Sequence, residues 1–362
     1  MTELEALVRL NASPGLGPKS IRDLVRNFGS ACGALAADAV PPAGAGARVR
    51  EALSACPGQG FAEEQLSRAE KLGARIIPFN SPDYPEPLRA FSDSPVLLHI
   101  LGNILPPDDS AVGIVGTRHP TPYGGRVAEA VGRALAQEKI TVVSGLALGI
   151  DAIAHRSVLE AGGRTIAVLG CGADVPYPRE NLDLYHAIIR QGAVVSEFPF
   201  GTEPLPGHFP RRNRIIAAFS RALVVIEAGE KSGALITARF ALDQGKDIFA
   251  APGSIYSPQS SGTNRLIQQG AHPLLSPEEL LEFLGRAPAA PRKAQPAVEP
   301  ELRLTEDEKR VMALLSAKPA HIDEIVRHAE LPLPHLHPVL LSLQIKGCAT
   351  ELAGMQYVRN RA

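Results

Sequence analysis

The octapeptide Phe209-Pro-Arg-Arg-Asn-Arg-Ile-Ile216 concentrates the chemistry of this 362-residue chain. Between Leu205 and Arg221 stand four arginines (Arg211, Arg212, Arg214, Arg221), one histidine and no acid, in a protein of net charge −1. Guanidinium forks match phosphate oxygens, and an aromatic ring offers a face to an unpaired base. Phe209 together with these arginines therefore suits a polyanion that carries exposed bases. Surface ion pairs are the ordinary account of a basic helix start. They require acids, and this segment contains none.

Other stretches add to the same chemistry. Gly116-Thr-Arg118 opens a loop that runs to Gly125. Gly116 lets a ligand approach the backbone, and Arg118 is read as a phosphate contact; the competing reading pairs it with a carboxylate at the sheet end. Tyr177 and Arg179 set a ring beside a charge. Ser232-Gly233 reads as a helix start, whose free N–H groups form a ready anion site. Asp151 and His155 lie four apart on one helix face, a spacing that permits a hydrogen bond. No nucleophile or metal ligand is near them in sequence, so a structural role is expected for the pair. No cofactor is expected, because G-x-G-x-x-G is missing. Neither is a metal: Cys32, Cys56, Cys171 and Cys348 are far apart, with no C-x-x-C, and read as free thiols of a reducing compartment.

The elements that must position these residues follow from periodicity. Val112–Val115, Ile140–Val143, Thr165–Leu169, Ala193–Val195, Leu223–Ile226 and Ile248–Ala250 are short β-branched runs spaced by amphipathic helices. Such nearly continuous apolar strands predict a parallel sheet covered on both faces, a doubly wound α/β fold. Ligands bind such sheets at the carboxyl ends of the strands, and every loop named above follows a strand. The Pro-rich stretch 76–110 is expected to add an antiparallel edge through Ile76-Ile-Pro78 and Val96–Leu101. Residues 1–75 read as short helices: Ile21, Leu24, Val25 and Phe28 share one face. Before them, Pro14-Gly-Leu-Gly-Pro-Lys19 resembles the turn of helix-hairpin-helix or sterile-alpha-motif-like domains, or is a plain helix connection. Pro41–Gly46 marks a loop, and residues 286–300, with four prolines and five alanines, a semi-rigid linker. In 301–362, Thr305-x-x-Glu308 opens the first of three helices, and a hairpin around Gly354 completes a winged-helix pattern. Its eight Lys/Arg balance eight Asp/Glu, which favours a protein-contact module over a duplex binder.

Composition sets the limits. A pI near 6.8 excludes a wholly basic binder and confines any nucleic-acid site to a patch. The start, Met-Thr-Glu-Leu-Glu-Ala, has no apolar run, and no stretch approaches the length of a membrane span, so a soluble cytoplasmic protein without membrane partners is expected.

Taken together, Val115-Gly-Thr-Arg118, Ser144 through His155, Phe209–Ile216, Ser232–Thr237 and Pro252-Gly253 with Gly262–Ile267 resemble the DNA-processing protein A (DprA/Smf) family, strongly over 76–285 and in outline beyond. The resemblance implies an extended Rossmann-like domain between a small helical domain and a winged helix. It also implies a non-enzymatic recombination mediator that binds single-stranded DNA, forms a homodimer and loads the RecA recombinase in natural transformation. By position, Arg118 matches the motif arginine that contacts the strand, Phe209 an aromatic of the pocket, and Arg212, Asn213 and Arg214 the F-P-x-R-N-R motif. Arg179 sits where relatives carry a basic residue after Y-P. Pro206 replaces a lysine of some relatives, a loss of charge that Arg211 offsets. Leu266 and Ile267 are the expected dimer contact. Two enzyme classes compete: a nucleoside monophosphate phosphoribohydrolase, whose P-G-G-x-G-T loop Ala251-Pro-Gly-Ser-Ile-Tyr256 fails to match, and a nicotinamide enzyme.

Overall fold

The computed structural model describes residues 1–36, 47–285, 304–316, 320–329, 331–346, 348–352 and 354–359. The expected loop at 41–46 and the linker at 286–300 lie outside them. The chain divides into two compact units, Met1–Pro288 and Ala289–Ala362.

The first unit begins with helices α1 (Glu3–Ala12), α2 (Pro18–Phe28), α3 (Ala31–Ala34), α4 (Ala47–Ser54) and α5 (Gln59–Leu72). Thr2 caps α1 through a box with Glu5, satisfying two N–H groups that the helix leaves unpaired. Leu7, Leu10, Ile21 and Leu24 point inward and share their core with Val96 and Leu97, so the helical segment and the sheet are packed as one body.

The chain then runs through β1 (Arg75–Pro78), α6 (Glu86–Arg89), β2 (Leu97–Gly102), β3 (Val112–Gly116), α7 (Pro122–Gln137), β4 (Val142–Ser144), α8 (Ile150–Glu160), β5 (Thr165–Val168), α9 (Leu182–Gln191) and β6 (Ala193–Ser196). It continues with α10 (His208–Phe219), β7 (Ala222–Ile226), α11 (Gly233–Asp243), β8 (Asp247–Ala250), α12 (Ser261–Gln268), β9 (His272–Pro273) and α13 (Pro277–Phe283). The nine strands order as β1-β2-β6-β5-β4-β3-β7-β8-β9. β6 through β9 are parallel, and β1 and β2 add the antiparallel edge. Alternation within single strands covers both faces. On β3, Val112 and Ile114 face a core with Val131 of α7 and Ile150 of α8, whereas Val115 faces one with Ile216 of α10 and Ala238 of α11.

From β3 the chain winds outward to β6, then returns to place β7 on the other side of β3. That reversal makes the gap between the β3 and β7 loops the topological switch point, where a crevice opens at the carboxyl ends. Thr117 N–H donates to Glu227 O across it at 2.7 Å.

The second unit contains α14 (Glu306–Leu314), β10 (Ala320–His321), α15 (Ile322–Ala329), α16 (Leu333–Ile345), β11 (Ala349–Leu352) and β12 (Gln356–Arg359). The three strands pair as β10-β12-β11, a winged helix whose core includes Val311, Ile325, Leu336 and Tyr357. Glu308, buried beside its Thr305 cap, accepts from Lys346 at 2.6 Å and from Ser342 at 2.6 Å. These charge-assisted bonds hold its carboxyl down to about 2. Among the described residues no helix is long and apolar enough to cross a membrane.

Candidate nucleic-acid interface

A cleft of about 730 Å³ lies at the switch point. Its lining includes Gly116 and Arg118 after β3, Ala147 after β4, Tyr177 after β5, Phe209, Arg212 and Asn213 on α10, and Lys231, Ser232 and Gly233 at the start of α11. Residues more than a hundred positions apart converge because every parallel strand delivers its following loop to the same end of the sheet.

The aromatic wall is Phe209 and Tyr177, with ring centroids 5.6 Å apart and planes tilted by 38°. The Arg118 guanidinium carbon stands 5.9 Å from the Phe209 centroid, and Arg118 is exposed. A cation, two ring faces and an open slot form a platform on which a flat base can stack while its phosphate meets a charge. Opposite, the Ser232 hydroxyl caps α11 by accepting from Ala234 N–H at 3.3 Å, and a Cβ added at Gly233 would meet open space. The positive end of α11 thus faces the cleft with room for an anion.

Beneath the platform sits Arg212, 5% exposed. Its Nη1 donates to Gly145 O at 2.7 Å and to Val168 O, and its Nε to Asn213 Oδ1 at 3.0 Å. Asn213 Nδ2 in turn donates to Gly233 O at 3.2 Å, linking α10 to the α11 start. Burial depresses the Arg212 pKa to about 10 despite the opposing charge of Asp151. Burial likewise raises that of Asp151, against the pull of Arg212 and of two backbone bonds. Those bonds come from Gly145 N–H at 3.1 Å and Ala147 N–H at 3.4 Å. Arg212 and Asp151 therefore clamp the β4 loop from both sides. Gly145 is required there: a Cβ would lie 2.5 Å from both Arg212 terminal nitrogens. Gly145→Ala is expected to destabilise the protein by about 1–3 kcal/mol, the cost of overpacking, as a lower midpoint in urea unfolding.

Several expected placements change. Helix α10 starts at His208, so the arginines lie within its second turn and point in different directions. Arg214, expected at the strand, is buried; its Nη2 meets Glu197 Oε2 at 2.5 Å and its Nη1 donates to Asp93 O at 2.5 Å. Arg211, half-exposed, donates to the same Glu197 oxygen at 2.9 Å and lies over the Phe198 ring, away from the cleft lining. The acid missing from the segment comes from the loop after β6, fourteen residues earlier. Arg221 donates to Leu284 O at 3.1 Å, from the residue that precedes β7. Arg179 is exposed in a helical turn and does not line the cleft; its neighbour Tyr177 does. Tyr177 and Lys231 are lining groups that a count of charge alone does not single out. The signal for Tyr177 is its ring beside Arg179, and for Lys231 its position directly before a capping serine.

Asp151 and His155 do not pair. His155 Nδ1 meets the Thr165 hydroxyl at 2.6 Å, and burial lowers its pKa to about 3, so the ring is neutral. Leu266, expected at a dimer contact, is 7% exposed, and Ile267 packs on the same core. Helix α12 packs beside β8, which turns Leu266 inward and leaves Ile267 partly exposed.

Helices α1 and α5 brace the loop that carries Glu197. Gln65, 2% exposed, accepts from Phe200 N–H at 2.8 Å and donates to Phe200 O at 3.3 Å, and Asn11 donates to Glu197 O at 3.0 Å.

The fold and the cleft define a doubly wound α/β protein with an anion-accepting, ring-lined site at its switch point. Residues 75–285 match the family model for DNA recombination-mediator protein A, and residues 293–355 that for the DprA winged helix domain. Protein Smf of Synechocystis sp. is 37% identical over 327 residues, 81% of this chain and 82% of that one. The X-ray structure of DNA processing protein A from Streptococcus pneumoniae is similar with a TM-score of 0.63 at 33% identity, over 78% of this chain and 98% of that one. A Helicobacter pylori DNA processing protein A structure, described for its single-stranded DNA binding mode, matches with a TM-score of 0.54 at 30% identity, over 58% and 95%. The chain belongs to the DprA/Smf family of DNA recombination mediators.

Proposed function

We propose that this protein binds single-stranded DNA in the switch-point cleft, with phosphates passing Arg118 and the α11 start while bases stack on Phe209 and Tyr177. The observation that carries this reading is the convergence in one cleft of an exposed arginine, a tilted ring pair and an open helix N-terminus. It works as a homodimeric mediator that shelters the strand and loads the RecA recombinase in natural transformation, in the cytoplasm. It acts by binding rather than by catalysis. In support, Asp151 is engaged with backbone N–H groups and His155 with Thr165, and neither holds the other as a base would hold a nucleophile.

Arg118→Ala tests the placement. Its loss is expected to weaken single-strand binding about ten- to a hundredfold, the range for a hydrogen bond to a charged group. The slope of log affinity against log salt should also shrink by about 0.7 for each phosphate that is no longer neutralised. Unchanged affinity and slope in a folded variant would place the strand elsewhere. A dimer–monomer shift seen by light scattering, and strand exchange with and without RecA, check the two partner assignments.

A further inference from the structure

The loop after β8 carries Ile255 and Tyr256, which are 83% and 90% exposed, and the fold makes no use of either side chain. The loop itself is firmly held. Asn264 accepts from Gly253 N–H at 3.2 Å and donates to Gly253 O at 3.0 Å. Tyr123 Oη donates to Pro252 O at 2.8 Å, and Tyr256 N–H donates to Ser254 Oγ at 3.2 Å. A ring carried on an ordered loop leaves little backbone freedom to be lost when something flat settles on it.

Its position relates it to the cleft. The loop leaves the carboxyl end of β8, next to β7 in the sheet. A Cβ added at Gly229, a cleft residue, would come 3.4 Å from Pro258 O. Lys231 lies between the ring pair and this loop in the order of the strands, supplying a cation along the way. From β5, which delivers Tyr177, to β8 is four inter-strand spacings, about 19 Å. One extended strand can cover that distance in a few nucleotides.

We propose that Tyr256 is a second stacking platform for single-stranded DNA, which extends the bound strand across β7 to the β8 edge of the carboxyl face. This rests on the single-strand reading above and adds to it a direction and a length. A second copy of the chain is the other occupant that would cover Ile255 and Tyr256. Continuity with a charged, ring-lined cleft favours the nucleic acid.

The chain has no tryptophan, so Tyr256→Trp introduces a single fluorescent reporter. An oligonucleotide of about 16 residues is expected to quench it, and one of about 2, enough for the Phe209–Tyr177 pair but too short to reach the β8 edge, to leave it bright. Tyr256→Ala is expected to lose about 5- to 150-fold in affinity for the long strand, the range for one stacked base. It should keep its affinity for the short one. Its salt slope stays that of the parent because a ring releases no counterions, and Tyr256→Phe binds like the parent. Equal long-strand affinity in Tyr256→Ala and the parent overturns the proposal. So does a loss of dimer in Tyr256→Ala by light scattering, which would give the loop to the second copy. Failure of the parent itself to bind either oligonucleotide would overturn the single-strand reading, a result separable from the other two.

Discussion

Arg212→Ala is expected to lower the thermal midpoint by about 6–20 °C and to abolish measurable single-strand binding together. The stability loss follows from removing one partner of a buried pair, about 3–5 kcal/mol, at roughly 2–4 °C per kcal/mol for a unit of this size. Asp151 would remain buried with its opposing charge gone, and Gly145 O and Val168 O would lose their donor. Binding goes with stability because the same guanidinium fixes the β4 loop and, through Asn213, the α11 start. Arg212→Lys should recover little, since a single ammonium cannot reach two carbonyls and an amide oxygen in one plane. Differential scanning fluorimetry with an oligonucleotide titration checks both effects. A variant that melts like the parent while losing affinity would make Arg212 a direct phosphate ligand and not the pillar of the site.

The second large effect is expected at Glu197, 2% exposed and shared by Arg211 and Arg214. Glu197→Ala leaves the buried Arg214 charge with only the exposed Asp93 carboxylate, 3.4 Å from its Nε, a loss of up to about 3–5 kcal/mol. The predicted signature differs from that of Arg212. Affinity measured well below the midpoint should fall far less than stability, because neither arginine lines the cleft. Guanidinium unfolding monitored by circular dichroism gives the first quantity and fluorescence anisotropy the second. Parallel losses in both would bring Arg211 or Arg214 back to the strand.

Glu197 also marks where sequence reading stops. Strand runs such as Val112–Val115 and Leu223–Ile226 are legible because parallel strands buried on both faces must be apolar at every position. Their loops follow by topology, which is why Arg118, Phe209 and Ser232 can be gathered at one end from the sequence. Which way each arginine of α10 points is a different matter. Arg211, Arg212 and Arg214 are spaced by one and two residues, so on a helix they diverge by about 100° per step. One faces Glu197, one lies under the cleft floor, and one is buried between Asp93 and Glu197. The acid that settles two of them comes from another loop, and no local count of charge can find it. The burial of Leu266 is hard to read for a related reason: an apolar residue on a short helix looks the same whether it covers its own sheet or a neighbour.

Gln65 gives Phe200 the donor and acceptor that an adjoining strand would otherwise provide, while Leu7 and Ile21 share a core with Val96 and Leu97. The amino-terminal helices thus serve as a lid on a raw flank. A shortened chain that began at β1 would bare greasy surface and an unsatisfied peptide group at the same margin, an invitation to self-association.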